Sequence, residues 1–162
     1  INSYKALTFT NSDINLKIYK YILNYVYKKN NLTDKPINFG TVNYNRGLFQ
    51  GMVNVEAALM AQKFHGNLKI TASMFHSGME NLIISNKRLE ELGFKKFIYP
   101  FKNNCSNHGG SGLAAIQQWN SKKKNWEMIT NFMYGEKEII NKFIEQDSIN
   151  FAKANKIISR CD

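Results

Sequence analysis

Long apolar runs are missing from this chain. None of its uninterrupted apolar stretches approaches the roughly 18 residues that a bilayer-spanning helix requires, so nothing in the 162 residues reads as a transmembrane segment. Also missing is a basic-then-apolar start with a small-residue cleavage site. The chain opens at Ile1 and runs almost at once into the apolar Tyr4–Phe9 stretch, which reads as a processed chain or a C-terminal fragment and leaves the compartment open. Internal repeats and low-complexity tracts are absent. Cysteine is scarce: Cys105 and Cys161 stand far apart, and both readings, one disulfide or two thiols, remain open on spacing alone.

Acidic residues are few, 12 against 22 Lys and Arg, giving a net charge of +10. Such a field suits nucleic acid or an anionic surface. The lysines, however, are scattered through expected loops and helix ends, as in Lys28-Lys29, Lys95-Lys96 and Lys122-Lys123-Lys124. No basic helix and no RNA-binding aromatic signature accompanies them. A solvated surface is the main reading. A small basic nucleic-acid-binding domain is the alternative from another class, and it requires binding that falls steeply with salt.

What is present is a core's worth of apolar residues, 43% of the chain, in alternating strand and helix patterns. Residues 4–9 read as a strand. Asn11 or Ser12 caps a helix carrying Ile14, Ile18, Tyr21, Ile22, Tyr25 and Val26 to about Lys28. Residues 30–36 form a polar loop, and 37–42 a strand interrupted by Gly40. A helix from near Leu48 presents Met52, Val55, Ala58 and Leu59 and stops at Gly66. Thr71 caps a short helix with Met74, Phe75, Met79 and Leu82, and Asn86 caps another that stops at Gly93. Residues 97–102 read as a strand. Leu113 to Trp119 and Trp126 to Phe132 form a hairpin around Asn120–Asn125. A final helix from about Glu136 to Asn155 turns Ile140, Phe143, Ile144 and Phe151 inward. The expected class is α/β with a mostly parallel sheet.

Reactive constellations are thin. Cys105 and His108 have metal-ligand spacing, but no second Cys/His pair completes a zinc set. As a nucleophile and base they lack a third orienting group. The run Gly109-Gly110-Ser111-Gly112 opens a strand instead of a helix, which is wrong for a phosphate loop and right for a turn. Glu80, Glu90 and Glu91 form no acid–base pair. Tyr44 and Asn45, between an expected strand and the helix after it, sit where open α/β sheets bind ligands.

Five motifs run in order along the chain. Residues 4–9 resemble a G-W-K-x-x-T-F strand. Tyr44-Asn45-Arg46-Gly47, followed by Glu56-Ala57 and Ala61-Gln62, resembles a Y-N-R-G element and helix. Arg88 to Phe94 resembles R-L-K-E-L-G-F. Cys105-Ser106-Asn107-His108-Gly109 resembles C-x-D-H-x-G, and Gln117-Gln118-Trp119-Asn120 resembles Q-Q-W-D, each with Asn for Asp. In this order and spacing they resemble the periplasmic substrate-binding proteins of branched-chain amino acid ABC transporters.

The resemblance implies a type I periplasmic-binding-protein fold, with this α/β chain a C-terminal part contributing to both lobes. Residues 1–10 would end the sheet of lobe 2, residues 11–104 would belong to lobe 1, residues 105–119 would form a crossover turn and strand, and residues 120–162 would return to lobe 2 with the last helix. It implies a solute-binding component of an ABC importer, not an enzyme and without a cofactor. A branched-chain or other small amino acid or amide would be held in an interlobe cleft, with permease subunits as partners and no nucleic acid. A ligand-sensing receptor domain of the same fold is the alternative. Phe39 aligns with a pocket-lining aromatic and joins Tyr44 and Asn45 as ligand-binding candidates. The implied periplasmic, transporter-associated location favours a Cys105–Cys161 disulfide.

Overall fold

The computed structural model describes residues 3–6, 16–30, 32, 38–66, 69–108 and 112–158. The first described strand, β1, is Tyr4–Ala6. Helix α1 (Lys17–Tyr21) starts after Leu16 and runs on into a π-helical stretch, Ile22–Tyr27, and a 3₁₀ turn, Lys28–Asn30. The expected caps Asn11 and Ser12, and Ile14, lie outside the described residues. The π turn explains why the anticipated face is wrong. Extra residues per turn rotate every later side chain away from a 3.6-residue stripe. Leu16, Tyr19 and Ile22 are buried, whereas Tyr25 and Val26 face solvent.

The strand anticipated over 37–42 is absent from its described residues, 38–42. Residues 38–40 form a turn, and Gly40 takes a left-handed φ of 78° that ends any extended run. Thr41 then caps α2 (Val42–His65), its Oγ1 accepting from the Tyr44 amide. The helix therefore starts six residues before the expected Leu48, and Tyr44-Asn45-Arg46-Gly47 lies within its first two turns. Its buried side is Asn45, Met52, Val53, Glu56, Ala57 and Ala61, while Val55 and Leu59 are exposed. Gly66 closes it in a left-handed conformation, as the sequence suggests.

Helix α3 (Ala72–Glu80) is capped by Thr71, whose Oγ1 accepts from the Met74 amide at 3.2 Å. It packs on α2 where Ala57, Ala61 and Gly78 leave no side chain between the backbones. Strand β2 (Ile83–Ile84) follows, then α4 (Asn86–Glu91), capped by Ser85 one residue ahead of the expected Asn86. Strand β3 (Phe101–Lys102) is shorter than anticipated and pairs with β2. Leu82, Ile84, Leu89, Phe94, Phe97 and Ile98 join the residues buried on α1 and α2 in one apolar cluster.

Beyond it lie β4 (Leu113–Ala114), β5 (Ile116–Asn120), β6 (Asn125–Met128), β7 (Met133–Tyr134) and α5 (Lys137–Asn155). A β5–β6 hairpin forms, with Trp119 directly opposite Trp126, but its strands are shorter than the expected 113–119 and 126–132: Leu113–Ala114 is a separate strand and residues 129–132 are not strand. Asn120 shapes the hairpin's turn, Oδ1 accepting from the amides of Lys122 and Lys123 and Nδ2 donating to Glu127. That amide, together with Lys123, holds the Glu127 carboxyl below its usual range. β1 adds to the far edge of β5, and β4 pairs with β7.

Every strand pair among the described residues is antiparallel, so the mostly parallel sheet is corrected. The reason is local. β5 and β6 are joined by a tight turn, which permits antiparallel pairing alone, and the connection through α4 returns the chain so that β3 runs antiparallel to β2. The inward face of the last helix is corrected too: Ile140, Phe143, Ile144 and Phe151 are all exposed. Within 112–158 the buried residues are Ala115 and Gln117, so this region contributes almost nothing to a core of its own.

Candidate functional site

The turn at 38–40 and the first turn of α2 bring Phe39, Tyr44 and Asn45 together against α1. Phe39 is buried, with its ring centroid 5.1 Å from that of Tyr19 and 5.0 Å from that of Tyr44; Tyr27 stands edge-on at 6.3 Å. Asn45 is wholly buried and pins the two segments: the Tyr19 hydroxyl donates to its Oδ1 at 2.6 Å, and its Nδ2 donates to the Gly40 carbonyl at 3.1 Å. A buried amide is tolerated when both its ends are satisfied in this way. Tyr44 is half-buried and shares a hydrogen bond with Tyr27.

Burial pushes the Tyr19 phenol up to about 12, against a smaller opposing pull from the Asn45 bond. Tyr44 is pushed up to about 12 as well, by burial first and then by its neighbour Tyr27. Both phenols are neutral donors at any physiological pH. The folded pKa of each lies above its unfolded value of 10.0, so the stability they contribute is complete below about pH 10 and is lost as pH rises toward 12. A spectrophotometric titration at 295 nm should show two tyrosines ionising late and together with unfolding. Tyr19→Phe should remove one of them. Early, independent ionisation of all tyrosines would contradict this placement.

The arrangement is an aromatic wall with phenolic hydroxyls at its half-buried rim, suited to an apolar body bearing a polar end. Phe39 and Asn45 form the inside of that wall and Tyr44 its accessible edge. Tyr19 and Tyr27 were not singled out in the sequence. Their spacing of eight, two turns of helix, was the available signal, and the π turn obscured it.

The other candidates separate. Cys105 is disulfide-bonded, which removes it as a nucleophile or metal ligand; Cys161, the chain's other cysteine, lies outside the described residues. Residues 104–107 close a tight turn, with Asn104 Oδ1 accepting from the Asn107 amide at 2.7 Å and from the Ser106 hydroxyl at 3.0 Å. His108 stands 3.8 Å from Glu80, which also meets His76 at 3.5 Å. Among the described residues no group of three or more His, Cys, Asp or Glu is placed to hold a metal. Gly109, Gly110 and Ser111 lie outside the described residues. No helix of the described residues is long and apolar enough to cross a membrane.

No protein-family model matches the chain, and no curated protein does. Among solved structures, it is similar to one titled as an ABC transporter permease from the Pseudomonas fluorescens group. The TM-score is 0.85 and the identity 28%, over 98% of this chain and 38% of that one. The chain thus spans well under half the length of that neighbour. This finding corrects the resemblance drawn from the five motifs: the structural neighbour is an ABC transporter permease by its title, not a periplasmic substrate-binding protein. Motifs of this kind do not by themselves specify function.

Proposed function

We propose that this chain is part of an ABC transport system and acts there by binding, without catalysing a reaction. The observation that carries the proposal is the similarity across 98% of its length to an ABC transporter protein. The finer part of the proposal is that residues 38–45 help to hold a small solute, an amino acid or amide, with Tyr44 and the aromatic wall behind it forming one side of the pocket. Half-buried phenols beside packed aromatic rings support that part, because they offer apolar contact and directed hydrogen bonds in one place. In this proposal the described elements belong to two α/β lobes that close over the solute, on the extracytoplasmic side and in contact with the permease subunits.

The test is thermal unfolding against a panel of amino acids, urea and short amides. A solute at about 100 times its dissociation constant stabilises by about 2.7 kcal/mol, which in a chain of this size raises Tm by about 5–10 °C. One compound should do so, and Tyr44→Ala should diminish the rise without lowering the unliganded Tm comparably. A panel that shifts nothing would remove the solute-binding part of the proposal.

A further inference from the structure

The aromatic wall commits most of its phenolic hydrogens inward. The Tyr19 hydroxyl is wholly buried and donates to Asn45 Oδ1 at 2.6 Å. The Tyr44 hydroxyl donates to Tyr27: that bond raises the Tyr44 pKa, as a bond does when the neutral phenol supplies the hydrogen. A phenol has one hydrogen to give, so neither residue has one left for a solute. Tyr27 does. It is half-buried, its ring stands edge-on to Phe39 with the centroids 6.3 Å apart, and its oxygen receives the Tyr44 hydrogen. Among the described residues its own hydrogen meets no acceptor.

The segments around that hydroxyl are basic. Residues 16–30 and 38–55, which build the wall, hold Lys17, Lys20, Lys28, Lys29 and Arg46 and no Asp or Glu. Lys28 and Lys29 follow Tyr27 directly in the 3₁₀ turn and are exposed, and Arg46 stands two residues beyond Tyr44. None of these cations is ion-paired among the described residues, whereas the carboxylates Glu56, Glu90 and Glu91 are already held by Arg88 and Lys95. A donor in such a field favours an anion, because a hydrogen bond to an ionised acceptor is about twice as strong as one to a neutral acceptor. No acidic side chain stands in these segments to receive an ammonium. We infer that Tyr27 is the specificity-determining residue of this site, and that it selects a solute bearing a carboxylate over the corresponding neutral amide. The carboxylate accepts from the Tyr27 hydroxyl while the apolar body of the solute lies against the wall. This inference rests on the solute-binding reading above and narrows it from amino acids and amides to carboxylates.

The test is calorimetric titration of the 162-residue chain with each amino acid of the panel beside its own primary amide. L-leucine against L-leucinamide and isovalerate against isovaleramide are the reference pairs. The acid should bind at least about tenfold more tightly than its amide. Tyr27→Phe keeps the ring and removes the hydroxyl. It should weaken the acid by about tenfold or more and the amide by less than about threefold, which closes most of the gap. Tyr44→Phe loses a hydrogen that Tyr27 receives and the solute does not, so it should weaken the acid by less than about threefold. The exposed pair Lys28→Gln/Lys29→Gln leaves the interior untouched; it should weaken the acid severalfold at low salt and leave the amide unchanged. An amide that binds as tightly as its acid would overturn the inference and leave solute binding standing. So would a Tyr44→Phe loss equal to that of Tyr27→Phe, or a lysine pair without effect on the acid. Silence across the whole panel would remove solute binding itself, and the inference falls with it.

Discussion

Replacing Gly78 by alanine should cost about 3 kcal/mol or more, near the upper end of what overpacking a core inflicts. Helices α2 and α3 meet backbone to backbone at this residue. A methyl group built there would collide with the Ala57 carbonyl oxygen and stand 3.0 Å from the Ala61 amide nitrogen. Both obstacles are main-chain atoms of a 24-residue helix, so neither can rotate aside as a side chain would. The helices must separate along their whole contact, and the apolar cluster that reaches them through Met52, Val53 and Met79 must loosen with them. Gly51 is the internal control. It lies in the middle of the same α2, is exposed, and has open space where a Cβ would go. Gly51→Ala should therefore raise stability by about 0.5–1 kcal/mol through helix propensity. Urea unfolding followed by circular dichroism at 222 nm gives both values. A Gly78→Ala variant as stable as the parent would mean that the two helices do not cross as closely as described.

That crossing also shows what could be read from the sequence and what could not. Helix existence followed from caps and stops: Thr71 and Gly66 do in the structure what their residue types announce, and Gly93 adopts the positive φ that ends α4. The Trp119–Trp126 hairpin was legible because two alternating runs flank a polar turn. Helix faces were not. On α2 the expected side of Leu48, Met52, Val55, Ala58 and Leu59 is half right: Met52 is buried and Leu48 packs against the apolar cluster, but Val55 and Leu59 are exposed, and Ala57 and Ala61 face α3 where Gly78 lets the backbones approach. On α1 the π turn broke the period on which the face had been read. On α5 the expected inward residues Ile140, Phe143, Ile144 and Phe151 do share one side, but that side is exposed among the described residues.

The candidate site was half legible. Phe39, Tyr44 and Asn45 do converge, although the expected strand beside them is a glycine turn, and the amide proves to be a buried pin for Tyr19 instead of an open donor. Hydrogen-bond partners 26 residues apart leave no periodic trace in a sequence. The motif residues Glu56 and Arg88 behave likewise. Each stands out within its own segment, and only the fold shows that they meet.

That pair carries the second large effect. Arg88 lays its guanidinium fork on the Glu56 carboxylate, Nε to Oε2 at 2.8 Å and Nη2 to Oε1 at 2.7 Å, while Nη1 reaches Glu91 at 3.1 Å. The two carboxylates drive the guanidinium pKa further above its already high value. The partners differ in burial: the Glu56 side chain is 10% exposed and that of Arg88 36%. Removing the arginine leaves a carboxylate on the inner side of α2 with no cation, whereas removing the glutamate leaves a guanidinium that still reaches Glu91 and water. Arg88→Ala should therefore cost about 2–3 kcal/mol, below the full penalty for breaking a buried pair because water reaches one partner. Glu56→Ala should cost about 1–2 kcal/mol. Arg88→Lys keeps the charge but loses the two-pronged geometry, and should recover less than half of the Arg88→Ala loss. A double-mutant cycle should give a coupling of about 1 kcal/mol or more, little changed between low and physiological salt. A coupling near zero, or an Arg88→Lys variant as stable as the parent, would reduce this contact to a surface ion pair and leave α4 held on α2 by apolar packing alone.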